Sequence, residues 1–125
     1  MDFFDLDELA EDVPVFGTQY QAANCEEFYA AAIQLNEYGL LEDMKIVLKR
    51  EPSNENDPYA IKVSGRWELD DGSKRTVHLG YVPRKAAFMI GEQTEGEGKL
   101  YGELASVERH PEFVMDIRIN IYVKY

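Results

Sequence analysis

The chain has 125 residues, 45% of them hydrophobic and 30% charged, with a formal net charge of −11. That length accommodates one domain with a real core and is short for two. No run approaches the roughly 18 apolar residues of a membrane span, and the N-terminus lacks the basic and apolar regions of a signal peptide, so a soluble, cytoplasmic protein with no membrane partner is expected. One cysteine, Cys25, excludes an internal disulfide, and Cys25 with the widely separated His78 and His110 makes a poor zinc set. Neither a metal nor a cofactor is expected.

A charge of −11 argues against nucleic acid, whose binders carry a basic footprint. Its distribution weakens that argument. Residues 1–43 hold 11 acidic residues and no Lys or Arg, whereas residues 44–125 hold 13 of each sign. The remaining body can still gather a basic groove from Lys45, Lys49, Arg50, Lys62, Arg84 and Lys85.

Residues 1–12, MDFFDLDELAED, mix six acids with Phe3, Phe4, Leu6 and Leu9. They read as an acidic leader, poorly ordered and outside the fold, either a frayed terminus or a partner-binding tail; residues 13–125 then form the single domain. Val13 to Gln21 is a strand candidate with Gly17 marking a bulge and Tyr20 just beyond it. Asn24 with Glu27 three residues on reads as a capping box, opening a helix that Gly39 stops. Phe28, Ala31, Ala32 and Leu35 make its apolar stripe. Cys25 falls at the helix start, where a thiolate is favoured, but with no base nearby in sequence it reads as a small residue rather than a nucleophile.

Met44 to Arg50 and Ala60 to Val63 alternate as strands around the loop Glu51–Pro58, in which two prolines remove backbone donors and Asn, Asp and Ser can bond their own backbone. A rigid polar loop between strands is a common place to display binding groups. Asp70 to Ser73 signals a hairpin, and the return strand runs from Lys74 to Val82, with His78 on its wet face. Pro83 suits the first turn of a helix over Arg84–Gly91, whose free backbone donors beside Arg84 and Lys85 form a candidate anion site. Glu92 to Gly98 reads as a polar loop, Leu100 to Arg109 as a strand broken by Gly102, and the last strand places Phe113, Met115, Ile117, Ile119, Ile121 and Val123 on one face. The fold class is therefore mainly β (α+β): a small six-stranded OB-like barrel or curled sheet with two inserted helices.

Two segments carry a further signal. REPSNENDPYAIKV followed by HLGYVPRKAAFMI resembles the HIRAN domain, whose pattern is a strand ending in Arg-Glu-Pro, then Asn-x-x-Asp and Ala-Ile-x-Val, and later Gly-Tyr-Val-Pro before a helix. FGTQY is similar to the family's opening strand, so the resemblance covers about residues 13–123, as in a free-standing bacterial or phage member of the family. It implies a non-enzymatic module associated with single-stranded DNA, notably 3′ ends, with a helicase, translocase or nuclease as possible protein partner in DNA repair or replication. It also implies site residues: Tyr20 as a platform for a base, Asn54 as a backbone-side polar contact, Asn56 beside it in the loop, Asp57 as acceptor for a terminal hydroxyl, Tyr81 and Arg84 facing phosphates, and Phe113 as an aromatic near the start of the final strand. Two positions depart from the pattern. Asn56 stands where some DNA-binding members have a stacking aromatic, with Tyr59 as a substitute two positions on, and Gln19 stands where a basic residue can occur.

The leading expectation is therefore a module that recognises the 3′-hydroxyl end of single-stranded DNA beside the Arg50–Val63 loop, with no small-molecule substrate. The alternative is a protein-interaction or DNA-mimic module that uses the acidic N-terminal third. A metal-dependent nuclease built on Glu51, Glu55 and Asp57 is disfavoured, because these carboxylates crowd one loop without strand-borne ligands or a base.

Overall fold

The computed structural model describes residues 3–111 and 115–125. Six strands, β1 (Asp7–Pro14), β2 (Lys45–Arg50), β3 (Ile61–Glu68), β4 (Lys74–Tyr81), β5 (Lys99–Glu108) and β6 (Asp116–Lys124), are joined with α1 (Ala22–Glu37) between β1 and β2 and α2 (Arg84–Thr94) between β4 and β5. The strands form one antiparallel sheet in the order β1-β6-β5-β2-β3-β4. The sheet curls without closing into a barrel. Its two ends meet at a single bridge, where Phe16 and Tyr81 exchange backbone hydrogen bonds of 2.8 and 2.9 Å.

The alternation expected for the last strand holds: Ile117, Ile119, Ile121 and Val123 are fully buried, while Arg118, Asn120 and Tyr122 face outward. β3 repeats the pattern with Ile61, Val63 and Trp67. Each such side chain contributes roughly 1.5 to 3 kcal/mol when fully buried. α1 lays its stripe on the inner face. Phe28 is fully buried over Gly65 and beside Leu79, in the space that a Cβ at position 65 would occupy. α1 ends at Glu37 in a Schellman motif, with Gly39 N–H donating to Asn36 and Leu40 N–H to Leu35.

Several elements depart from the sequence reading. The largest concerns the acidic leader. Asp7–Pro14 is an edge strand of the sheet, paired with β6, with Leu9 and Ala10 packed against the core and Phe3 resting on Tyr122 at 4.8 Å between ring centroids. Its acids stay tolerable because Asp7, Glu8, Glu11 and Asp12 lie on the exposed side or edge, and Arg118 pairs with Asp12 at 3.5 Å. The fold thus begins well before Val13. Two register shifts interrupt the pairing of β1 with β6, which blurs the strict alternation that marks a strand.

The strand expected over Val13–Gln21 ends at Pro14; Thr18–Gln21 is a 3-10 turn that runs directly into α1. Asn24 therefore lies inside the helix and caps nothing: its amide donates to the His78 carbonyl at 3.1 Å, bracing α1 against β4. α2 runs on to Thr94 instead of stopping at Gly91. Arg50 explains the extension, because its guanidinium donates to Thr94 Oγ1 and to the carbonyls of Glu97 and Gly98, capping the turn that follows the helix. β5 is continuous through Gly102.

The place of β1 in the sheet generates a test. Deleting residues 1–12 should lower unfolding free energy by about 1 to 3 kcal/mol, the range for withdrawing a buried Leu from a core, seen as a lower denaturant midpoint. An unchanged midpoint would mean that the strand adds nothing to the domain.

Candidate functional site

The loop Glu51–Ala60 is built by its own polar side chains. Asn54 Oδ1 accepts the backbone N–H groups of Asn56 (2.9 Å) and Asp57 (3.2 Å), and its amide donates to Glu51 Oε1 at 3.2 Å. Asp57 Oδ1 accepts the Tyr59 N–H at 2.9 Å, an Asx turn, and Glu51 N–H closes the loop base on the Ala60 carbonyl. Asn54 is thus the organiser of the loop, and its polar atoms face inward rather than toward a ligand.

The loop stands against the end of β4 and the start of α2, and the three enclose a cleft of about 390 Å³. Asn54, Asn56, Asp57, Tyr81 and Arg84 line it, so five of the seven residues named from the sequence converge there. Arg84 is the exposed charge of the group: its side chain is 76% accessible, donates to the Asn56 carbonyl, and lies 3.7 Å from Asp57 Oδ2, whose own side chain is 17% accessible. Tyr81 donates its hydroxyl to Glu51 Oε1 at 2.9 Å. Burial pushes the Glu51 carboxyl up, but the hydrogen bonds from Tyr81 and Asn54, with the charges of Lys62 and His78, outweigh it and leave the group below its ordinary value. The same bond to Glu51, with burial, raises the Tyr81 phenol.

The other two named residues fall elsewhere. Tyr20 lies on the 3-10 turn, 80% exposed, and does not line the cleft. Phe113 lies outside the described residues. Tyr59 does not replace the absent aromatic at Asn56, since it turns away onto α2, where its hydroxyl meets Glu92 and its ring meets Phe88 edge-on at 5.0 Å.

One site residue escaped the sequence reading. Phe16 is 57% exposed and forms one wall of the cleft. Gly80 makes that position possible: its φ of +154° is poorly tolerated by other residues, and a Cβ there would collide with the Phe16 carbonyl oxygen. The signal available in sequence was FG before a polar stretch, which read as strand interior because the pairing partner of Phe16 lies 65 residues away at Tyr81.

The cations sort themselves by partner. Arg50 is taken by the turn after α2, and Lys45 donates to the Glu42 carbonyl at 2.7 Å. Lys49 and Lys62 are directly opposed across the β2–β3 ladder, and Lys62 is opposed in turn by Tyr81, so the outer face carries a row Lys49, Lys62, Tyr81 that leads to the cleft. Like charges placed directly opposite destabilise a sheet unless an anion lies near them. His78 is half-buried rather than solvated. Its ring stacks edge-on against Tyr81 at 5.3 Å, and burial followed by the charge of Lys62 lowers its pKa.

The chain matches the HIRAN domain family over residues 11–125. The chain belongs to the HIRAN domain family. That family is associated with nucleic-acid binding. The same architecture occurs in the crystal structure of a protein from Lactobacillus plantarum, a structural genomics target, which is 20% identical and aligns over 94% of this chain and 96% of that one with a TM-score of 0.54. At that identity the likeness speaks for the fold alone. A comparison with curated proteins returns no match.

Within this HIRAN domain, Cys25 is fully buried, and burial with the neighbouring Glu26 charge pushes its thiol up to about 11, which removes it as a nucleophile at neutral pH. Among the described residues, Glu108, His110 and Asp116 bring donor atoms within 4.8 Å of one another. Asp116 already pairs with Arg118 at 3.4 Å and lies 3.7 Å from His110 Nε2, at the β5–β6 connection.

Two outcomes test this construction. Gly80→Ala should destabilise the domain by about 1 kcal/mol or more, the cost of a side chain at an incompatible backbone position, and should shift the Phe16 ring signals in NMR spectra. The Glu51 carboxyl should titrate at higher pH in Tyr81→Phe than in the parent. Because its folded value lies below its unfolded one, the stability it adds is present above the ordinary Glu range and is lost as pH falls through the folded value; an unshifted titration would mean that Tyr81 does not hold it.

Proposed function

We propose that this HIRAN domain is a non-enzymatic module that binds single-stranded DNA ends bearing a free 3′-hydroxyl, in the cleft between the Glu51–Ala60 loop, the end of β4 and the start of α2. The observation that carries the reading is the convergence in that cleft of an exposed aromatic face, Phe16, with a shielded carboxylate, Asp57, and an accessible guanidinium, Arg84. Nucleic-acid ends need these three things: a π-face for a base, a cation for phosphate and a hydrogen-bond acceptor for the terminal hydroxyl.

Asp57 decides the polarity of the end. Its Oδ1 is engaged by the Tyr59 N–H, while Oδ2 lies 3.7 Å from Arg84 Nε, beyond hydrogen-bond length, and so keeps lone pairs that a terminal hydroxyl can use. A carboxylate accepts a hydroxyl hydrogen bond and repels a phosphate in the same place. Strand 3′ ends that keep the hydroxyl therefore gain a charge-assisted bond of about 1.5 to 3 kcal/mol, and 3′-phosphorylated ends meet repulsion. Lys49 and Lys62, in a row with Tyr81, supply cations along which the preceding phosphates can lie.

Titration with single strands ending in 3′-hydroxyl or 3′-phosphate, and with blunt duplex, at two salt concentrations tests the reading. The hydroxyl end should bind most tightly. Phe16→Ala should weaken it by roughly 1 to 3 kcal/mol, the worth of one stacking contact, and Arg84→Ala should weaken binding across sequences and reduce the salt slope by about 1. Asp57→Asn should keep the Asx turn while erasing the discrimination between the two ends. Equal affinity for all ends in the parent protein would overturn the 3′-end assignment.

A further inference from the structure

The far side of the same loop carries a second surface. Pro52, Pro58 and Tyr59 face the last turns of α2 across a groove of about 360 Å³ whose helix side is Gly91, Glu92 and Glu95. Tyr59 packs against Gly91, occupying the space that a Cβ there would need, and its ring extends the apolar surface onto Phe88. Phe88 is 49% exposed, on the same helix face as Gly91 and Glu92, although the helix's buried positions, Ala87 and Ile90, already serve the core. Aromatic side chains left out of the core and gathered with two prolines beside a groove are the composition of a binding surface rather than of ordinary exterior.

The charge of the groove selects its occupant. Arg50 lies at its base, but the guanidinium is consumed by Thr94 and by the carbonyls of Glu97 and Gly98. The accessible charges are Glu92 and Glu95, both negative, and Glu92 is held in place by the Tyr59 hydroxyl at 2.9 Å. The two exposed carboxylates outnumber the partly buried Arg50, so this side of the loop disfavours an anionic ligand, whereas Arg84 on the other side favours one. A basic side chain, in contrast, would find two carboxylates beside Tyr59, and the apolar residue next to it would find the Tyr59–Phe88 pair.

We propose that the groove between the Pro52–Tyr59 side of the loop and the C-terminal half of α2 is a docking site for a peptide segment of a partner protein in which a Lys or Arg adjoins large apolar residues. The domain would then use opposite sides of one loop for two ligands of opposite charge. This interface does not depend on the DNA-end reading, since it shares no charged side chain with that cleft.

The test uses the full chain and a fluorescein-labelled peptide of alternating Leu and Arg pairs, followed by anisotropy and by amide NMR shifts. The Leu/Arg peptide should perturb Tyr59, Gly91 and Glu92, and versions with Glu for Arg or Ser for Leu should bind much more weakly. Because the chain is strongly acidic, a charge-matched control is needed. Glu92→Gln with Glu95→Gln should weaken the peptide by about tenfold, the scale for losing a charge-assisted contact, whereas Glu8→Gln with Glu11→Gln on β1 should leave it unchanged. Phe88→Ser, at an exposed position, should weaken it without loss of folding, and Arg84→Ala should have no effect. Equal losses in the two glutamine pairs, absence of binding, or a loss in Arg84→Ala would overturn the proposal, as would concentration-dependent self-association that Phe88→Ser abolishes, which would make a second copy of the chain the occupant.

Discussion

Phe16 and Tyr81 exchange two backbone hydrogen bonds across the gap between the ends of the sheet, and the position next to Tyr81 must be glycine for the two backbones to come that close. Val15, one residue earlier, donates to Ile117 of β6 at 2.8 Å, so two consecutive residues stitch opposite ends of the sheet together. The sheet remains open elsewhere. That one contact orients Phe16 outward at the mouth of the cleft, fixes the end of β4 from which Tyr81 projects, and sets the position of Pro83, from which α2 starts.

The loop solves a different problem. Ten residues without regular structure leave many backbone groups to satisfy, and here Asn54, Asp57 and Glu51 satisfy them from within, while Arg50 anchors the loop's entry to the end of α2. A loop held this way presents its outward groups at fixed positions and loses little conformational freedom on binding. Side chains that look like ligand contacts because they are polar and close together are in part the scaffold itself. Asn54 is the clearest instance. Asp57 belongs to both categories, with one oxygen in the Asx turn and the other facing Arg84.

The distribution of charge follows the same logic. The acids of the first strand are placed on the edge and outer side of the sheet, where they also discourage edge-to-edge pairing with another chain. Glu8 and Glu11 lie close enough to Tyr122 to join burial and Glu103 in pushing its phenol up to about 12. Three cations, Lys49, Lys62 and Arg84, lie around the same end of β3 and β4. A net charge of −11 is thus compatible with a cationic track, because the screening length of about 8 Å at physiological salt isolates one surface from another.

The resemblance carried by the two family motifs named Asn54, Asn56, Asp57, Tyr81 and Arg84, whereas local pattern was enough to read the strands β2, β3, β4 and β6, the hairpin at Asp70–Ser73 and the apolar stripe around Phe28. Each of these is written in period-2 or period-3.6 burial, in turn chemistry, or in the loop itself, and so depends on neighbours in sequence. What only the tertiary structure decided depends on partners far along the chain. β1 looked like a solvated leader because its acids outnumber its apolar residues, and only pairing with β6 makes an edge strand of it. Asn24 left its capping role because the preceding turn winds straight into α1 and the His78 carbonyl needed a donor. Arg50, a candidate for phosphate from composition, is committed to carbonyls 47 and 48 residues away. Phe16 became a cleft wall, and Tyr59 a helix contact, because Gly80 and Gly91 leave room for them; a sequence names its glycines but does not say which backbone or ring will fill the space beside them.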